Sequence, residues 1–353
     1  MTRALLAIET SCDETAAAVV TERLQALSSV VSSQVELHAR FGGVVPEIAS
    51  RAHVRLVGPI VSQALDEARV TAGELSAVAV TRGPGLVGAL LVGISAAKAL
   101  AMGLGLPIVA VNHLEGHLAS VAMDEPDMAF PQLALLVSGG HCILARSPSP
   151  GVYERLGQTK DDSVGEAYDK VGRLLGLGYP GGPAIDRLAA SGEDSLGFPR
   201  PMLREGYDFS FSGLKTAVAN YVRANPTLVV EDVAASFAAA CMDVLCTKLS
   251  RALEEFKDPV VSVVGGVAAS PILRSRAAEL AKDAGARLLL PSQRLATDNA
   301  AMIGIAAWQL LDRRGGLGDR FDFGPLASWP LSWGDRDGGT LGGVSWDAGA
   351  PTP

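Results

Sequence analysis

A chain of 353 residues, 48% hydrophobic and 19% charged, has ample material for a packed core, and at about 150 residues per domain it divides into two rather than one. A net charge of −8 excludes a protein that holds nucleic acid by a broad basic face and leaves RNA to a local patch or a partner. Four cysteines (Cys12, Cys142, Cys241, Cys246) without a CxxC pair exclude a disulfide scaffold and a zinc ribbon. The opening MTRALLAIETSCDE holds too short an apolar stretch for a signal peptide and turns acidic at once, so a cytoplasmic location is expected.

Residues 4–8 and 16–20 are apolar runs flanking a polar loop, a hairpin signal. Residues 52–68 carry a helical period, with Val54, Val57, Ile60, Val61 and Leu65 on one face. A strand over 77–81 leads into Gly83-Pro84-Gly85-Leu86-Val87-Gly88. Residues 86–111 are long and apolar enough to span a bilayer, but Lys98, the glycines and Pro107 predict instead a buried helix (about 87–102), a turn and a buried strand over 108–111. Beyond a Pro-containing hinge at 124–131, a strand (133–137), the turn Ser138-Gly139-Gly140-His141 and a strand (142–145) repeat the opening, which suggests two related lobes. An amphipathic helix (233–256), a strand (260–264), a helix (271–284), a strand (287–290) and a final helix (299–311) complete an α/β alternation. The expected organisation is an N-terminal lobe (1–125), a C-terminal lobe (126–296) with an insertion around 190–230, and a helix (297–313) that completes the cleft and packs on the first lobe. Residues 314–353 hold three of the four Trp and no periodicity, which predicts a loosely ordered tail with some Trp tucked onto the body.

Asn112-His113-Leu114-Glu115-Gly116-His117 follows directly on a predicted strand. Two His at i and i+4 share one helix face at the spacing a single metal ion requires, which favours metal over a hydrogen-bonded pair. Asn112 as N-cap puts Glu115 at N3, the reciprocal capping position. In the HExxH pattern of zinc peptidases the Glu follows the first His directly, so a peptidase reading lacks its general base here. A third ligand must come from elsewhere; Thr297 and Asp298 open the final helix, where capping is the better reading of the sequence alone.

The GxGxxG at Gly83 has no acid about 20 residues on at the end of the next strand, so an NAD site is not supported, though the helix start can face an anion. Gly265-Gly266-Val267-Ala268-Ala269-Ser270 is either a tight turn or a close backbone approach to a ring or phosphate. With the doubled opening, this resembles the superfamily of actin, hexokinase and the heat-shock chaperone ATPases, which grip a nucleotide between two lobes. The acidic turn at 9–15 suits a phosphate only with a cation nearby. Asp169 and Asp186 follow turns in an acid- and Gly-rich stretch; ribose contacts and a solvated face both explain them. Cys12 has no His close in sequence to activate it, and Cys241 and Cys246 read as core.

Together these segments resemble the TsaD family, the bacterial tRNA adenosine threonylcarbamoyltransferases once labelled sialoglycoprotein endopeptidases. The matching stretches are IETSCDET, FGGVVPEIASRAH, RGPGLVGALLVG, NHLEGH, VSGGH, GQTKDDSVGEAYDKVGRLLGLGYPGGP, FSFSGLKT, GGVAAS and TDNAAMIG. The resemblance implies two related actin-like ATPase lobes with a nucleotide and metal cleft between them. It implies transfer of the threonylcarbamoyl group from threonylcarbamoyl-AMP to N6 of the adenosine 3′ of the anticodon, in tRNAs reading codons that begin with A, with release of AMP. His113, His117 and Asp298 would bind one divalent metal ion, Fe2+ with Zn2+ as the alternative. Val137, Ser138, Gly139, Gly140 and His141 would lie along the intermediate, with His141 also a catalytic candidate. Asp169, Gly182 and Asp186 would hold ribose and phosphate, and Gly265, Gly266 and Ser270 the adenine side. Asp13 or Glu14 would assist proton removal from the amine.

The resemblance also implies a TsaB-like paralogue and a TsaE-like ATPase as partners that present tRNA, and no membrane. Two departures stand out: Ser270 replaces the usual Asn, and the tail after Arg314 matches no family pattern. Arg51, Arg55, Arg204 and Lys215 are either tRNA contacts or solvated surface. A non-catalytic scaffold of the same fold competes with this reading, but such paralogues lack the His pair and much of the second lobe. A metallopeptidase rests on the His spacing alone, and a kinase of the superfamily would bind nucleotide without acyl transfer.

Overall fold

The computed structural model describes residues 2–331. The first apolar run, β1 (Ala4–Glu9), turns back through the polar loop into β2 (Glu14–Thr21) and then β3 (Ala26–Ser33). A short α1 (Val35–Ala39) and a long α2 (Pro46–Ala68) follow, then β4 (Ala77–Gly83), α3 (Val87–Leu104) and β5 (Ile108–Asn112). The sheet order is β3-β2-β1-β4-β5, with the hairpin strands antiparallel and β1, β4 and β5 parallel.

α4 (His113–Ala119) leaves β5 without a break and leads toward β6 (Gln132–Val137), β7 (Cys142–Ser149) and β8 (Val152–Gln158). Four helices come next: α5 (Val164–Leu174), α6 (Gly181–Ala189), α7 (Ser212–Ala224) and α8 (Val230–Phe256). The chain closes with β9 (Val260–Val264), α9 (Pro271–Asp283), β10 (Arg287–Leu289), α10 (Gln293–Ala296) and α11 (Ala300–Arg313). The second sheet runs β10-β9-β6-β7-β8, which repeats the order and strand directions of the first. The duplicated opening in the sequence is therefore a duplicated lobe.

α11 packs against α4, β1, β2 and β5, and its apolar face joins residues of both sheets in one core. Two glycines let it approach. A Cβ at Gly304 would stand 2.5 Å from Val20 Cγ2, and one at Gly116 2.8 Å from Ile303 Cδ1. These contacts bring the start of α11 to the His-bearing helix.

Several expectations need correcting. α2 begins at Pro46 rather than residue 52, with the proline in the first turn, where its missing N–H costs nothing. α3 is not buried all round: Ala89, Leu90, Ile94, Ala97 and Ala101 face the sheet, whereas Val87, Leu91 and Met102 are exposed. β3 and β8 carry no strong signal in the sequence, because their burial is patchy and their apolar pattern weak. The tail up to residue 331 is not loose: Phe321 and Phe323 pack on the first lobe and Leu331 is buried. The rest of the expected tail lies outside the described residues.

Candidate active site

The carboxyl ends of β1, β4, β5, β6 and β9 converge where the two lobes meet, the place where open α/β sheets bind ligands. β5 delivers Asn112, whose Oδ1 accepts from Leu114 N at 2.9 Å and starts α4. His113 and His117 then project together, ring centroids 4.8 Å apart and nearly perpendicular. Asn299, not Thr297 or Asp298, caps α11, accepting from Met302 N at 3.0 Å. The capping expectation for Asp298 is thereby overturned, and its carboxylate turns to the histidines. Asp298 Oδ1 lies 3.1 Å from His117 Nε2 and 3.5 Å from His113 Nε2.

One donor atom from each of these three residues lies within 4.8 Å of the others. Two imidazole nitrogens and a carboxylate suit a borderline divalent ion such as Fe2+ or Zn2+. Around them stands an outer shell that sequence reasoning missed. Glu9 Oε2 is 2.9 Å from His113 Nδ1 and accepts from Thr81 Oγ1 at 2.6 Å, while Glu9 Oε1 accepts from Ser11 N. A carboxylate on the far nitrogen is the usual way a metal-ligating His is oriented. Its only sequence signal is an acid at the end of a buried strand. Burial opposes charge on His113, but Asp298 and Glu9 outweigh it and hold the imidazole well above its ordinary pKa. Burial likewise opposes ionisation of Asp298, but His113 and His117 keep it well below the carboxylate range. A buried acid, Glu9, and a half-buried one, Asp298, thus flank the His pair, a donor set whose chemistry fits a cation.

On the acid loop, Asp13 is buried and its carbonyl accepts from Gln34 N at 2.9 Å. Burial, with Asp298 and Asp13, pushes the Glu14 carboxyl up to about 9. Burial, with Asp13 and Asp298, drives the Cys12 thiol far above its ordinary value, which leaves it inert as a nucleophile. His53 steadies the loop, with Nδ1 2.8 Å from Thr15 Oγ1 and Nε2 donating to Cys12 O at 3.0 Å.

Ser138–His141 forms a closed turn: Ser138 N donates to His141 O at 2.8 Å and His141 N to Ser138 Oγ at 3.1 Å. A Cβ added at Gly139 or Gly140 would meet open space. Burial, and then His113 and His117, push His141 down to about 4, so it is neutral at physiological pH. At the end of β9, Gly265 adopts φ +92, and a Cβ there would stand 2.5 Å from Val137 O. Asp169 spends one oxygen on Gly181 N at 2.8 Å and so braces the turn that carries Gly182. Burial raises the Asp186 carboxyl, and the nearby Ser270 hydroxyl only partly offsets this. Neither Asp186 Oδ1 nor Ser270 Oγ has a well-formed hydrogen bond, so both are buried polar atoms awaiting partners.

The GxGxxG glycines serve the protein itself. A Cβ at Gly85 would stand 2.6 Å from Ser11 O, and one at Gly83 2.2 Å from Leu326 O. Leu86 N donates to Ser11 O at 2.8 Å, so the turn holds the acid loop. Lys215 is committed to Asp162 at 2.7 Å and Arg51 to Glu47 at 3.0 Å, whereas Arg55 and Arg204 are exposed.

The two duplicated lobes define a protein of the actin-like ATPase fold, with a His/His/Asp cluster that could hold a metal ion. Solved structures carry the fold: HypF from T. kodakarensis superposes with a TM-score of 0.63 at 14% identity, over 89% of this chain and 49% of that chain. Component A of the Acidaminococcus fermentans (R)-2-hydroxyglutaryl-CoA dehydratase gives 0.52 at 11%, over 88% and 99%.

Sequence carries the family. The chain belongs to the TsaD family, the tRNA N6-adenosine threonylcarbamoyltransferases, whose profile matches residues 25–305. The tRNA N6-adenosine threonylcarbamoyltransferase of Syntrophotalea carbinolica is 49% identical over 333 residues, covering 93% of this chain and 96% of the relative. That of Halalkalibacterium halodurans is 54% identical over 308 residues, covering 86% and 90%.

Proposed function

We propose that this chain is a tRNA N6-adenosine threonylcarbamoyltransferase acting in the cytoplasm. The observation that carries the reading is the His113, His117 and Asp298 cluster in a family member matched over residues 25–305. Threonylcarbamoyl-AMP is the donor and the adenosine 3′ of the anticodon is the acceptor. The adenosine N6 attacks the carbamoyl carbon, the bond from that carbon to the phosphate oxygen breaks, AMP leaves and one N6 proton passes to the enzyme. An aromatic amine is a weak nucleophile, so positioning and charge stabilisation carry the rate.

His113, His117 and Asp298 would hold one divalent ion, Fe2+ or Zn2+, which would supply Lewis acidity toward the donor's oxygens. The Val137–His141 turn lies along the donor, with Gly139 and Gly140 offering backbone N–H groups. Asp169, Gly182 and Asp186 take ribose and phosphate; Gly265, Gly266 and Ser270 flank the adenine. Asp13 is the proton acceptor rather than Glu14, whose raised pKa keeps it protonated at neutral pH. Neutral His141 is available for a hydrogen bond to the donor. A net charge of −8 supports partners, a TsaB-like paralogue and a TsaE-like ATPase, that present the tRNA.

The test is incubation of the purified chain and these partners with synthetic threonylcarbamoyl-AMP and unmodified tRNA, followed by nucleoside mass spectrometry. Modified adenosine that is lost with His113→Ala or Asp298→Ala supports the reading. Its absence from reactions with metal-loaded wild-type protein overturns it.

A further inference from the structure

Residues 317–331 lie outside the stretch matched by the family profile, yet they are wired to the metal helix. Asp319 bridges to Ile108 on the open edge of β5, and its Oδ2 accepts from Ala110 N at 2.8 Å. The chain then crosses the turn after β4. Arg82 lies 5.4 Å from the ring centroids of both Phe323 and Trp329, and its Nε donates to Gly324 O at 3.0 Å. Leu326 N donates to Arg82 O at 2.9 Å and Gly85 N to Ala327 O at 3.3 Å. Finally, Asn112 Nδ2 donates to Trp329 O at 3.2 Å and Pro330 O at 3.3 Å.

Two routes lead from this segment to His113. Through Asn112, it fixes the orientation of the amide whose other atom caps α4 one residue before His113. Through the Gly83–Gly85 turn, it backs Ser11, whose N–H holds Glu9 and whose Oγ lies 3.2 Å from His113 Nδ1. We propose that residues 317–331 form a strap that positions the metal site, acting through Asn112 and the Gly83–Gly85 turn. This inference rests on the metal-site reading above. The strap residues touch no ligand and act by holding those that do. Groups hydrogen-bonded to a metal ligand change its affinity by about 10–100-fold when lost, and the strap acts one contact further out, so the lower end is expected.

The test is Zn2+ affinity of the full-length chain, by competition with a chromophoric chelator, alongside the melting temperature of the metal-free protein. Asn112→Ser keeps a good N-cap oxygen but cannot reach the strap. Asp319→Ala with Trp329→Ala releases the strap at both ends. Each change is expected to weaken Zn2+ binding about tenfold. Adding Asn112→Ser to the released strap should cost little more than the released strap alone, because releasing the strap already breaks the route through Asn112. Trp329→Phe alone, which keeps an aromatic face on Arg82, should bind like wild type. Zn2+ affinity within twofold of wild type in Asn112→Ser and in the released strap, with only the melting temperature lowered, overturns the strap as a positioning element. Losses that multiply in the combined variant overturn the route through Asn112. Wild-type protein that takes up no Zn2+ overturns the metal-site reading itself.

Discussion

Glu9 Oε2 and His113 Nδ1 stand 2.9 Å apart, joining the end of the first strand to the first residue of α4 across 104 positions of sequence. The contact selects the tautomer that presents His113 Nε2 toward Asp298. Glu9→Ala should weaken divalent metal binding about 10–100-fold, and Glu9→Gln, which keeps an acceptor, by less. Chelator competition reads both; equal affinity in Glu9→Ala would show that the carboxylate does not orient the ligand.

The three first ligands should behave as a unit. Asp298→Ala and His117→Ala are each expected to lose bound metal, measured by elemental analysis, and to lose tRNA modification with it. Chelator-treated wild-type protein should match them and recover on adding back metal. Recovery in the variants as well would place the ion elsewhere.

Gly165 tests the donor turn without touching the metal. A Cβ there would stand 2.5 Å from Ser138 O and 2.8 Å from Gly139 Cα, backbone atoms that cannot swing aside. Gly165→Ala should destabilise the fold by about 1–3 kcal/mol and displace the Ser138–His141 turn. The expected signature is a raised KM for threonylcarbamoyl-AMP with metal content unchanged.

Asp162 predicts the acid limb of stability. Burial opposes its ionisation, but Lys170 at 2.8 Å and Lys215 at 2.7 Å outweigh it and hold the carboxyl below its ordinary value. Asp162→Asn should cost about 2 kcal/mol at neutral pH. Because the folded pKa is depressed, this contribution is complete above the unfolded pKa, about 4, and is lost as pH falls through the folded value. Urea unfolding should therefore show a constant gap between wild type and variant from about pH 6 to 8 that closes below about pH 4. A gap that widens in acid would refute the assignment.

Features set by near neighbours were legible in the sequence. The β1–β2 hairpin, the apolar alternation that builds each sheet, the Asn112 cap and the i, i+4 spacing of His113 and His117 all depend on local periodicity and capping chemistry. The doubled strand–turn–strand opening announced two related lobes for the same reason. Other features are decided by distant partners. Asp298 reads locally as a cap; only the packing of α11 through Gly116 and Gly304, with Asn299 capping in its place, carries it to His117 across 181 positions. Gly83 and Gly85 form a GxGxxG that the sequence does not support as an NAD site; only the structure shows what the glycines admit, Leu326 and Ser11. The segment holding Trp329 has no periodicity because its partners are Arg82 and Asn112, not its own neighbours. The sequence by itself determined the elements, the duplicated α/β plan and the histidine pair, since these follow from short-range sterics and hydrogen bonding. Only the tertiary structure decided the approach of Asp298 to the histidines, the Glu9 contact with His113 and the seating of residues 317–331, because each depends on where helices cross and which polar groups burial leaves to be satisfied.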